Sequence, residues 1–265
     1  MWVPSLVPAS IDGPGRATTH KGRPCAHRTV WYYVQPLFQD DPEGLQLGIG
    51  GGSVGRFIAL EGIEGSGKTL QLSLLSDEFK RRNIPIVVTR EPGGTPFGSR
   101  LRRILLESGG PGREAEAELL LYLADRFQHL AEVIEPALRQ GRTVLCDRYH
   151  AATLAYQGYA RGIGFPLVDK LARALRIRMP DLTLILDLEV ESGLARARRR
   201  NAVEGNQAWG RFEAETMRFH RRVREGYRQL AEREPDRITL VDASGNPQQT
   251  LKKLLAELEG KALIG

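Results

Sequence analysis

The stretch "FIALEGIEGSGKTLQ", Phe57 to Gln71, passes from apolar residues through three glycines to one lysine and into an amphipathic run. Within it, Gly62, Ile63, Glu64, Gly65, Ser66, Gly67, Lys68 and Thr69 have the spacing of a phosphate-binding loop. The segment also stands where such a loop must stand, after a strand-like run and before a helical one. Glycines let the backbone wrap with its N–H groups pointing inward, and the helix N-terminus adds favourable partial charge. Lys68 then reaches the terminal phosphates, and the Thr69 hydroxyl suits Mg2+. A glycine-rich turn with an incidental lysine would share the letters but not the setting.

Outward from this loop, short apolar runs alternate with longer amphipathic ones. The strand-like runs are "RFIALEG", "IPIVVTR", "TVLCDRY", "LTLILDL" and "RITLVDA". Between them lie "QLSLLSDEFKRR", the long "REAEAELLLYLADRFQHLAEVIEPALRQ", "FPLVDKLARALRI", "VESGLARARRR", "FEAETMRFHRRVREGYRQLAERE" and the closing "NPQQTLKKLLAELEG". Runs such as "LTLILDL" lack polar alternation, which suits burial on both faces. The spacing therefore predicts an α/β fold: a five-stranded, mostly parallel sheet with helices on both faces, of the P-loop NTPase class. The stretch "LARARRRNAVEGNQAWGRF" breaks the rhythm and reads as a mobile lid over about 196–212.

Composition narrows the class further. A chain of 265 residues at 41% hydrophobic can bury a full core, and a net charge of +6 permits a polyanionic partner or a pocket for small phosphorylated ligands. Two cysteines, Cys25 and Cys146, are too few for a disulfide framework and fit a reducing, cytoplasmic setting. No run is apolar enough over eighteen or so residues to span a bilayer, so no membrane anchor is expected. Residues 1–54 scatter proline, glycine and single charges and end in "GIGGGSVG", which predicts a disordered or loosely attached extension ahead of one catalytic domain over 55–265. Translation starting near Val54 is an alternative that N-terminal peptides upstream of it would exclude.

Four more stretches bear on chemistry. "TREPGGTPFG" (Thr89–Gly98) follows the second strand and "CDRYHAATLAYQG" (Cys146–Gly158) begins in the third; "RARRR" (Arg196–Arg200) opens the lid, and "LLLYLADRFQH" (Leu119–His129) is helical. All but the helical one lie in the lid or at carboxyl ends of strands, where open α/β sheets bind ligands. Taken in order, "GIEGSGKT", "REPGGT", "DRY" and "AYQG" resemble thymidylate kinase, from about Arg56 to the C-terminus. The resemblance implies transfer of the γ-phosphoryl group of ATP to dTMP with Mg2+, in a homodimer that binds neither membrane nor nucleic acid.

It also implies roles for individual residues. Lys68, Arg90, Arg148 and the lid arginines Arg196, Arg198 and Arg200 would clamp the phosphates, because a loose phosphoryl-transfer transition state needs positive charge more than a base. These arginines match the bacterial subtype whose phosphate loop has no basic residue between its glycines. Asp147, closing the third strand, would hold Mg2+ together with Thr69. Glu64 would stand near the acceptor sugar and phosphate. Tyr122 would stack on thymine in place of the usual Phe, and Arg126, four residues on and on the same helix face, would bind a base carbonyl. Without the resemblance Tyr122 reads as core, its neighbours being leucines. Thr153 would contact the base, and Tyr156 and Gln157 would lie beside sugar and base. Two departures stand out: Ala152 where Ser is common, and Gly210 where an Asp often precedes the counterparts of Arg211 and Glu213. Another nucleoside monophosphate kinase would share loop and lid but not "REPGGT" with "AYQG". A nucleic-acid-stimulated NTPase would exploit the basic run, which is too short to track a strand.

Overall fold

A computed structural model describes residues 55–107, 113–203, 212 and 215–264. The predicted extension over 1–54, Gly210 and most of the predicted lid beyond Val203 lie outside the described residues.

Five strands form one sheet: β1 (Phe57–Gly62), β2 (Ile86–Arg90), β3 (Thr143–Asp147), β4 (Leu182–Asp187) and β5 (Ile238–Asp242). Their order is β2-β3-β1-β4-β5 and every pairing is parallel. β1 is central and entirely buried because its side chains feed two cores. Ile58 and Leu60 face one side, where Leu72, Leu75 and Phe79 of α1 (Lys68–Arg81) and Leu254 and Leu258 of a C-terminal helix cover them. Phe57 and Ala59 face the other, against Leu130, Ile134 and Tyr149. Period-two alternation thus operates over Phe57–Leu60, where no polar residue reveals it.

The helices after α1 are α2 (Pro96–Leu106), α3 (Ala115–His129), α4 (Glu135–Arg139), α5 (His150–Thr153), α6 (Phe165–Ala174), α7 (Val190–Val203), α8 (Met217–Arg233) and α9 (Pro247–Gly260). α2 was not foreseen in the sequence, although it begins with a good start signal. The Thr95 side chain accepts from Gly98 N at 2.9 Å and Pro96 takes the first helical position. The long helical run expected to end near Gln140 is interrupted by a π-helical turn at Leu130–Ile134 that leads into α4. A second π-helical segment, Leu154–Ala160, follows α5. Such wide turns occur often at functional sites, and this one carries Tyr156 and Gln157. α7 runs on to Val203, so the arginine run is helical.

Crossing order puts the carboxyl ends of β1, β2 and β3 beside one another on one flank of the phosphate loop, with the β5–α9 loop on the other flank. Ligand contacts from "REPGGT" and "DRY" are brought together by this topology.

Candidate active site

The loop Gly62–Thr69 closes on itself around Lys68. The Lys68 ammonium donates to Gly62 O and Ile63 O, each at 2.8 Å, and lies 3.4 Å from Ser66 Oγ. Burial, with Arg148 adding like charge, pulls its pKa down to about 8. Gly67 caps α1 in the left-handed region at φ 97°. At Gly65, φ is 72° and an added Cβ would stand 1.9 Å from Gly193 O; at Gly193 one would stand 2.6 Å from Glu64 O. Two glycines therefore allow the backbone of α7 to lie directly on the loop.

A cavity of about 1010 Å³ opens over the loop. Of the residues singled out in the sequence, Glu64, Lys68, Thr69, Arg90, Tyr122, Arg126, Asp147, Arg148, Thr153, Tyr156, Gln157, Arg196 and Arg200 all line it. Arg198 does not. It lies two residues from each of its neighbours in the run, about 200° around the helix, so Arg196 and Arg200 share the cavity face and Arg198 turns away from it.

At the β3 end, Arg148 adopts φ 66°, a left-handed position uncommon for a residue with a side chain, in the short turn from β3 to α5. Its guanidinium donates to Glu64 Oε1 at 2.9 Å and to the Tyr156 hydroxyl at 3.0 Å, and Tyr156 in turn donates to the same Glu64 oxygen at 2.7 Å. Burial acts to raise the Glu64 pKa. Arg148, His220, Lys68 and Tyr156 together outweigh it and hold the carboxyl far below its ordinary range. Asp147 is nearly buried, and its Oδ1 has no hydrogen-bond partner among the described residues.

At the α3 end, Arg126 is completely enclosed. It donates to Glu91 Oε2 at 2.8 Å and to Thr153 Oγ1 at 2.9 Å, and lies over the Tyr149 ring at 4.7 Å. Glu91 also meets His129 Nδ1 at 3.0 Å, and His129 Nε2 meets Thr89 Oγ1 at 2.7 Å. The network joins β2, its following turn and α3. Gln157 donates to Glu118 at 2.7 Å, which fixes the amide beside the cavity.

Several participants escaped the sequence reading. Arg102, in the unforeseen α2, lines the cavity and donates to Pro92 O at 2.9 Å; burial, with Arg90 and Arg148 as like charges, lowers its pKa to about 10. A cavity wall where like-charged guanidiniums stand close enough to lower the pKa of one of them suits an anion. Asp125 accepts from Gly93 N at 3.0 Å and so fixes the turn after β2; burial, with Glu91 nearby, pushes its pKa up to about 6.

Glu61, on β1, is wholly buried. It accepts from Tyr149 N at 2.7 Å and Ala152 N at 3.0 Å, capping α5 from another element, and from Tyr227 OH at 2.8 Å. Burial raises its pKa against these bonds and against Arg148. The Ala152 N–H is thus used by the fold although its side chain has no hydroxyl. Glu61→Gln leaves one accepting oxygen for three donors and is expected to lower stability by about 1–3 kcal/mol, measured by urea unfolding. An unchanged midpoint would mean the carboxylate is replaceable there.

The sequence profile of the thymidylate kinase family matches residues 60–254. The chain is 51% identical over 199 residues to a thymidylate kinase of Syntrophotalea carbinolica, covering 75% of this chain and 92% of that protein. It is 50% identical over 205 residues to one of Desulfosudis oleivorans, covering 77% and 96%. The crystal structure of thymidylate kinase from Ehrlichia chaffeensis superposes with a TM-score of 0.62 at 30% identity, covering 77% of this chain and 98% of that one.

Proposed function

The chain belongs to the thymidylate kinase family and phosphorylates dTMP to dTDP with ATP; we propose the division of labour within its site that follows. The phosphate loop and Lys68 hold the β- and γ-phosphates of ATP, with Arg196 and Arg200 reaching them from α7. Arg90, Arg102 and Arg148 hold the acceptor phosphate. Tyr122, Arg126, Thr153 and Gln157 receive the thymine, and Tyr156 flanks the sugar. The observation that carries this reading is one cavity lined at once by the loop, by Arg196 and Arg200 of α7, and by Arg90, Arg102 and Arg148 together with Tyr122 and Tyr156.

The residues fit Mg2+. Thr69 and Asp147 supply hard oxygen donors in one cavity, and the unpartnered Asp147 Oδ1 is the kind of buried carboxylate oxygen that a cation satisfies. Bound there, Mg2+ would offset charge on the ATP phosphates. The chain itself does the rest. An oxygen of the acceptor phosphate bonds to the γ-phosphorus while the bond to the β–γ bridging oxygen breaks and ADP leaves. The cations lower the barrier by meeting charge spread over the equatorial oxygens. No side chain needs to remove a proton, because the dTMP phosphate is already anionic.

The test is ADP release with Mg-ATP and dTMP, dUMP, dGMP or dCMP as acceptor. Preference for dTMP is expected; ATP turnover indifferent to acceptor would overturn the assignment. Burial and Arg148 pull the Lys68 pKa down to about 8 in the free enzyme. Above that pH the loop loses a cation, so kcat/KM for ATP is expected to fall as pH rises from 7.5 to 9.5. A Lys68→Arg variant, which keeps its charge, should lose that break even where its activity is low.

A homodimer is supported by an exposed apolar face on α2 and α3, where Phe97, Ile104, Leu120 and Phe127 are 40–58% exposed. Leu120 and Phe127 are seven residues apart and share a helix face. Leu120→Glu should shift light-scattering mass from two chains to one. A cytoplasmic location fits the buried free thiol of Cys146; no helix among the described residues is long and apolar enough to cross a membrane.

A further inference from the structure

We propose that His220 is a positioning residue for the acceptor end of the site, holding the second oxygen of the Glu64 carboxylate so that the first stays aimed at Arg148 and Tyr156. The inference rests on the reading of Glu64 and Arg148 as acceptor-side groups.

His220 lies in the first turn of α8 and is 1% exposed. Its Nδ1 is 3.4 Å from Glu64 Oε2. Neither ring nitrogen, nor Glu64 Oε2, has a hydrogen-bond partner among the described residues. Burying three polar atoms together without bonds costs free energy that an apolar side chain at this position would avoid. Packing alone therefore does not account for an imidazole here.

Glu64 needs something on that edge. Its Oε1 receives both Arg148, at 2.9 Å, and Tyr156, at 2.7 Å, while Oε2 faces His220 Nδ1 at 3.4 Å. Rotation about the terminal torsion of a glutamate is soft, so a carboxylate tied at one oxygen can swing. An Nδ1–H on the far edge opposes that swing, and Arg148, which follows the carboxylate, keeps its orientation. α8 is itself held firmly enough to act as a reference. It packs closely on the π-helical segment, with a Cβ at Gly226 meeting Ala155 Cα at 3.2 Å, and seven residues past His220 its Tyr227 bonds Glu61. One face of α8 thus addresses both carboxylates that flank Gly62. Lys68 is held independently by Gly62 O and Ile63 O, so loss of His220 falls on the acceptor and spares the donor.

Asn places an amide nitrogen near the imidazole Nδ1, whereas Gln places one near Nε2, and this separates positioning from bulk polarity. Steady-state kinetics with Mg-ATP and dTMP on His220→Asn, His220→Gln and His220→Phe, each checked by thermal melting, form the test. For the Gln and Phe variants KM for dTMP should rise about tenfold with KM for ATP within about twofold, and the Asn variant should stay within about threefold of the parent. If the Phe variant does not fold, the Asn and Gln pair still decides. In a Glu64→Gln background, His220→Gln should add nothing, because the group it acts through is gone. Asn no better than Gln, equal changes in both KM values, or full additivity on Glu64→Gln would overturn the proposal. Glu64→Gln leaving KM for dTMP unchanged would sink the acceptor-side reading of Glu64, and this inference with it. A raised KM in Glu64→Gln together with additivity would sink the role of His220 alone.

Discussion

Arg148→Met is expected to lower kcat/KM for dTMP by about a hundredfold to a thousandfold, the loss typical when one partner of a buried, hydrogen-bonded charge pair is removed. Arg148 donates to Glu64 and Tyr156 across the cavity, and its backbone is fixed by the bond from its N–H to Leu60 O at 3.0 Å. Lysine could not replace it, because a single ammonium cannot reproduce two donors held in a plane. The variant also leaves the Glu64 carboxylate facing Lys68 and His220 without its main counter-ion, so some loss of stability should accompany the loss of rate. Adding Glu64→Gln separates the two effects. Stability should recover in the double variant, while turnover of dTMP should not. ADP-release kinetics and urea unfolding on the same samples read both. A variant with normal dTMP kinetics and a raised KM for ATP alone would place Arg148 on the donor side.

The largest effect on folding is expected at Arg126. Arg126→Met removes a guanidinium that is 1% exposed and leaves Glu91 buried with His129 as its remaining ion-pair partner among the described residues. Breaking such a pair from one side costs about 3–5 kcal/mol. Arg126→Met should therefore shift the chemical denaturation midpoint more than any single substitution in the cavity wall. Glu91→Gln in the same background should recover a substantial part, since the stranded charge is then gone. A small shift in the single variant, with a raised KM for dTMP, would mean that Arg126 serves the substrate and hardly the fold.

These two arginines show what a sequence conveys and what it withholds. Both stand out in the sequence and both line the cavity, one from its place directly after an apolar strand and the other through the resemblance. Of their partners, Glu64, Tyr156 and Thr153 stand out there too and Glu91 does not. Glu91, like Glu61 and Asp125, gains its role only when distant segments meet: Glu61 accepts from residues 88 and 166 positions away. All five strands were readable because each is a compact apolar run. The π-helical turns were not, since a one-residue shift of the apolar stripe is lost in runs as dense in apolar residues as "LLLYLADRFQHLAEVI". α2 was hidden because the glycines and two prolines of "REPGGTPFG" read as loop, although Thr95-Pro96 starts a helix, and Arg102 stayed hidden with it. The run "RARRR" looked like one cluster of three alternate arginines. Its helical conformation is what divides Arg196 and Arg200 from Arg198.

The contact between Gly65 and Gly193 limits what mutation can do to this enzyme. A saturation library over the loop and the start of α7 should return two kinds of forbidden position. Gly67, where an added Cβ would meet nothing within 4 Å, is restricted by its torsion alone, whereas Gly65 is restricted also by the Gly193 carbonyl and Gly193 by the Glu64 carbonyl. No single exchange relieves the second kind, because the obstacle is backbone on both sides. The cradle and the arginine-bearing helix are therefore inherited as one block, and retuning donor choice by small steps must begin at side chains farther along α7 or in the β5–α9 loop.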